Sequence, residues 1–238
     1  MRRLMILVLL AASACAPVYV PNVRNSPMFT KEGEFQASVQ IGNGLEAQAA
    51  YAVTGHFGVM ANFAYVNTTD SEDEDDYHRH QFFEGGVGYF LDNISNDSFF
   101  EVFAGYGRGK GSTFDGFEFF GPQSVAATGT YERIFLQPSV GMNKDDLHFA
   151  FAPRISVVDF LEFSNESYSA IINEKPKVFF EPAIIGKANF ADNTMFAIFQ
   201  AGVSLGMSQD IYFDRRTFQL SAGLGLRLGG ARKLVRRL

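Results

Sequence analysis

The sequence predicts an all-β protein: a closed, antiparallel, up-and-down transmembrane β-barrel of about ten strands. Three observations predict it. Apolar and polar residues alternate in segment after segment. The polar face of those segments is rich in glycine, which suits a crowded interior. The connections are short at one end of the segments and long at the other.

Residues 1–14 read as a lipoprotein signal peptide. Arg2 and Arg3 precede a short apolar run, residues 4–10, too short to span a bilayer. Small residues follow and end on Cys15, the only cysteine of the chain. Residues 12–15 resemble the bacterial lipobox, with Ala12 where Leu is commonest, so Cys15 is the expected lipidation site and mature N-terminus. One cysteine allows no internal disulfide. Residues 15–33 carry Pro17, Pro21 and Pro27 without periodicity, and read as an extended, lipid-anchored linker.

The barrel is expected over residues 34–230. Alternation is clear in residues 34–41, 45–53, 56–65, 83–91, 100–107, 133–142, 147–157, 178–190, 195–205 and 218–228. The last segment is the cleanest. Phe218, Leu220, Ala222, Leu224, Leu226 and Leu228 fall on one parity, and Gln219, Ser221, Gly223, Gly225 and Arg227 on the other. As the last strand it should close the ring against residues 35–41. Turn-like connections at 54–55, 92–97, 144–146 and 191–193 alternate with longer loops at 68–79, 111–129, 164–176 and 207–216. The connection at 42–44 breaks the rule by being short where a loop is due. In outer-membrane barrels the short turns are periplasmic, so an even strand number puts both barrel ends on that side. Residues 231–238 form a basic tail, suited to anionic headgroups or to a frayed, solvated end.

Charge assigns the solvent. The middles of the apolar faces carry no charged residue, and a Lys or Arg facing lipid at mid-bilayer costs about 2–4 kcal/mol. The opposite face carries Glu84, Glu101, Arg133, Arg154, Glu181, Lys187 and Arg227, with Glu34 and Glu46, and is expected to form a charge network that plugs the interior. The alternative is a lipocalin-like periplasmic barrel with its apolar face turned inward around a lipid. A small-solute pore or an outer-membrane enzyme is the third reading. Barrels of about eight strands are filled by side chains, whereas porins need about 16, which disfavours a pore. No Gly-x-Ser-x-Gly occurs, and His80 with Glu84 is the only inward rim pair of catalytic type, about 13 Å apart along a strand. No catalytic residue and no cofactor are assigned. The formal charge is −6, or −8 once Arg2 and Arg3 leave with the signal, which excludes nucleic acid as an expected partner.

Two loops carry candidate binding chemistry. The acidic loop offers Asp73, Asp75, Asp76, His78 and His80 as weak metal ligands, against the plainer reading of a solvated charge run. The loop at 111–129 offers Phe114, Phe117, Phe119 and Phe120, either as a surface for lipopolysaccharide, protein or glycan or as a lid folded over the barrel mouth.

Residues 19–22 (Y-V-P-N), 33–35 (G-E-F), 49–62 (A-A-Y-A-V-T-G-H-F-G-V-M-A-N) and 135–141 (F-L-Q-P-S-V-G) resemble a group of uncharacterised outer-membrane β-barrel lipoproteins of Bacteroidota. The resemblance implies the fold and an outer-membrane location, and ties no motif to an activity. Two features depart from the wider pattern. The chain does not end on an aromatic residue, as barrel-insertion signals usually do. No acidic residues closely follow Cys15, unlike the signals that send lipoproteins of this phylum to the cell surface, so the anchor is expected on the periplasmic side.

Overall fold

A computed structural model describes residues 17–69, 77–92, 94–95, 97–114, 126–165, 168–170, 175–211 and 213–229. These contain ten barrel strands: β1 Phe35–Ile41, β2 Leu45–Ala52, β3 Phe57–Thr69, β4 Tyr77–Leu91, β5 Ser98–Phe114 and β6 Ala127–Lys144. The next three are each interrupted once: β7 as Leu147–Ala152 and Ile155–Asn165, β8 as Lys177–Phe180 and Ala183–Phe190, and β9 as Met195–Val203 and Leu205–Gly206. Strand β10 is Phe218–Leu228. A short strand, Tyr168–Ala170, pairs with the far end of β7.

Each strand pairs antiparallel with its neighbours in sequence, and β10 closes on β1 with Phe35 opposite Leu228 and Ile41 opposite Ala222. Closure removes every sheet edge, which is the condition for strands in hydrocarbon. Two of the interruptions, in β7 and β8, have a local cause. Pro153 and Pro182 lack an N–H and cannot continue the ladder. The breaks lie opposite each other: the Glu181 N–H donates to the Arg154 carbonyl (2.7 Å) and the Arg154 N–H to the Glu181 carbonyl (3.3 Å). Inside–outside parity passes through the gap unchanged, so Arg154 and Glu181 still face inward.

The outward face is the apolar one. Ile41, Val87, Ile184 and Leu220 are each more than 60% exposed, and Leu136, Phe149, Phe199 and Leu224 continue the belt around the ring. Apolar surface this continuous needs a non-aqueous neighbour. No helix of the described residues is long and apolar enough to cross a membrane, so any crossing is by strands. On the loop side β4, β5 and β6 run several residues past the alternating segments, with Arg108, Lys110, Ser112, Thr128, Thr130 and Glu132 facing out. With polar residues on the outer face as well, the two faces no longer contrast, and the sequence reads as loop there.

The principal departure from expectation is the segment before β1. Residues 17–29 are buried almost throughout, because they run inside the barrel rather than outside it as a tether. Val18 and Tyr19 lie at the loop end, where Tyr19 packs with Phe82, Tyr131, Phe160, Phe179 and Phe213. Met28 lies at the turn end with Phe99, Phe196 and Ile198, and Phe29 with Phe90 and Phe103. The lumen therefore has an aromatic cap at the loop end, a polar middle and an apolar base, and the segment contributes to each.

Substituting Val87, which faces outward between Val59 and Ala104, with Arg is expected to destabilise the membrane-embedded barrel by about 2–4 kcal/mol. The loss is read as a smaller heat-modifiable fraction on gels. An unchanged fraction would place Val87 away from lipid.

The occupied lumen as candidate functional site

The inward face of the ring is built to hold an extended chain. A peptide in a closed lumen loses water at every backbone N–H and C=O, so the wall must replace those bonds. Inward glutamines supply many of them, since an amide side chain both donates and accepts. Gln200 makes a reciprocal pair with Arg24, accepting from its N–H and donating to its carbonyl (2.9 Å). Gln48 donates to the Val23 carbonyl (3.0 Å), Gln137 to the Asn25 carbonyl (2.8 Å), and Gln219 to the Pro21 carbonyl. Glu46 accepts from the Val23 N–H (3.3 Å) and Glu101 from the Met28 N–H (3.0 Å). Lys187 donates to the carbonyls of Ser26 (2.9 Å) and Pro27 (3.1 Å) and to Gln36 (2.9 Å).

The charges form one connected cluster around the middle of this segment. Glu84 is clamped between Arg133 and Arg154, the latter at 3.4 Å, and accepts from Asn62 (2.8 Å) and Asn22 (3.2 Å). Asn22 in turn accepts from both arginines, 3.0 Å from Arg154. Glu181 faces Arg24 at 3.9 Å, and accepts from Tyr19 Oη (3.0 Å), Ser156 (2.7 Å) and Ser204 (3.1 Å). At the turn end Arg227 pairs with Glu34 at 3.2 Å. Arg133 lies over the Phe82 ring and Arg154 over the Phe135 ring, at 4.3 and 4.5 Å, so their planar faces are covered as well. These groups are fully or nearly fully buried. Such charges persist only when paired and hydrogen-bonded.

All seven residues expected in the interior network, Glu84, Glu101, Arg133, Arg154, Glu181, Lys187 and Arg227, face the lumen. Glu84 pairs directly with Arg133 and Arg154, and Arg227 pairs with Glu34. All of the seven but Arg227 also meet residues 19–28, with Tyr19, Asn22, Arg24 and Ser26 as partners that alternation did not reveal. A signal was present in the charge count. Away from the loop-end rim, the wall's inward charges noted above are five acids, Glu34, Glu46, Glu84, Glu101 and Glu181, against four bases, Arg133, Arg154, Lys187 and Arg227. Arg24 supplies the fifth base.

Glycine makes room where the segment approaches the wall. A Cβ on Gly111 would collide with the Val18 carbonyl, and one on Gly109 would sit 2.7 Å from the Tyr131 ring that covers Tyr19.

The loop candidates fare differently. His80 is buried, bonds through Nε2 to Tyr131 Oη (2.7 Å) and stacks on Phe82 and Tyr131, so it serves the aromatic cap. His78 faces the same way and hydrogen-bonds to the backbone of Pro17. No group of three metal-ligating side chains occurs among the described residues. Asp73, Asp75, Asp76, Phe117, Phe119, Phe120, Cys15 and the tail at 231–238 lie outside the described residues. Phe114 stacks on Tyr77 at 6.3 Å, at the feet of the two loops. On the outer wall below them, a recess of about 610 Å³ is lined by Tyr65, Asn67, Arg79, Gln81, Lys110 and Ser112.

No family model matches the sequence, and no curated protein matches it. Among solved structures the chain is similar to the translocator domain of the autotransporter NalP from Neisseria meningitidis, with 13% identity and a TM-score of 0.42 over 82% of this chain and 86% of that one. The fold assignment rests on the strand pairing and closure, not on this likeness.

Arg24→Met is expected to cost about 3–5 kcal/mol in unfolding, because it leaves the buried Glu181 short of its nearest base. Adding Glu181→Gln should recover a large part of that loss. A double variant as damaged as the sum of the two single variants would mean that the two residues do not act as a pair.

Proposed function

We propose that the protein is an outer-membrane barrel lipoprotein held shut by its own N-terminal segment, working through its outer loops. The reading is carried by one observation: an apolar belt around the whole ring encloses a lumen occupied from the loop end to the turn end. A lipid-binding barrel requires the inverse, an apolar cavity with a polar exterior. A pore needs open, hydrated passage where this ring has bonded chain. An enzyme of the rim type would need His80 and Glu84 for chemistry, and both are committed to structural partners.

The work of such a protein falls to what stands above the membrane. Tyr77 and Phe114 stack where the acidic loop and the Phe-rich loop join their strands, and the composition of those loops suits lipopolysaccharide, a surface protein or a glycan as ligand. Arg79 and Lys110, in the recess on the outer wall just above the apolar belt, suit the phosphates of outer-leaflet lipid.

Reconstituted into planar bilayers, the full chain is expected to pass no steady ionic current. A large, stable conductance would contradict the sealed reading.

A further inference from the structure

We infer that the barrel carries its own N-terminus through the membrane to the loop side, so that an acyl anchor on Cys15 enters the outer leaflet. The inference rests on the outer-membrane reading above and reverses the periplasmic anchor expected from the sequence. Its basis is the direction of residues 17–30. The segment leaves β1 at the turn end, where the Thr30 N–H and Oγ1 donate to Glu34 at 2.9 and 2.8 Å. It reaches the loop end at Tyr19. There the Tyr19 N–H donates to the Asp214 carbonyl (3.2 Å), and the Arg216 N–H donates to the Tyr19 carbonyl (3.0 Å). These bonds tie it parallel to the strand of loop that closes the mouth.

Length settles the alternative. Fourteen residues at about 3.3 Å each give roughly 45 Å, enough to cross a hydrocarbon core of about 30 Å. From Pro17 back to Cys15 there are two residues, a reach of about 7 Å at full extension. A return to the turn side would need about six times that length, and the lumen is already occupied.

The test uses the full chain in intact cells. An epitope is inserted between Ala16 and Pro17, leaving the signal and Cys15 in place, and reference epitopes are inserted at the 54–55 turn and the 209–210 loop. The inference expects antibody or protease added outside to reach the first and the 209–210 epitopes, and to reach the 54–55 epitope only after permeabilisation. Protection of the first epitope while the 209–210 epitope is reached would overturn the inference and leave the outer-membrane reading standing. Reversal of the two reference epitopes, or protection of both, would overturn that reading and the inference with it. Hydrogen exchange on the unmodified, detergent-purified protein guards against an insert that blocks folding. Residues 18–29 should exchange as slowly as the strands of the wall, and exchange at the rate of an exposed tail would overturn the threading.

Discussion

A ring of ten strands encloses more space than its own side chains fill, and in a membrane that space cannot be left as dry, unpaired charge. The rest of the structure depends on how this constraint is met. The wall brings carboxylates and guanidinium groups into the lumen, and a length of the same chain supplies the missing partners. Arg24 balances Glu181, Asn22 bridges Glu84 to Arg133 and Arg154, and the backbone between them satisfies a set of inward glutamines. Each half bonds groups that the other buries. Without the wall the segment is an unpatterned stretch of Pro, Val and Asn. Without the segment the wall holds buried donors and acceptors with nothing to bind.

The layering of the lumen follows from the same requirement. The polar middle is where backbone and charge need partners. Aromatic rings at the loop end and apolar side chains at the turn end shut that middle off from water on both sides. In a water-poor environment the ion pairs and hydrogen bonds gain strength, and so does the cost of breaking any one of them. A seal of this kind favours one state over a gate that opens and closes.

How much of this was legible in the sequence depends on whether a residue separates two environments. Strand β10 does so at every step, Phe, Leu or Ala outward and Gln, Ser, Gly or Arg inward, and its pairing with β1 could be read directly. The upper parts of β5 and β6 do not, because Lys110, Ser112 and Thr128 face out above the lipid and erase the contrast. Residues 17–30 are the extreme case. Residues 17–29 are buried at every position, so both parities are buried and no period exists to detect. What remained visible was indirect: an excess acid on the inward face of the strands, and repeated glutamines where a wall packed only on itself would have used apolar residues.

The central claim is that residues 17–30 occupy the lumen in one fixed direction. Nuclear Overhauser contacts in detergent micelles test it most directly. The account predicts contacts from the Tyr19 ring to Phe179 and Phe213 at the loop end, and from the Met28 methyl to Phe99 and Phe196 at the turn end. Free, water-exposed signals for Tyr19 and Met28, or the two sets of contacts exchanged between the ends, would contradict it.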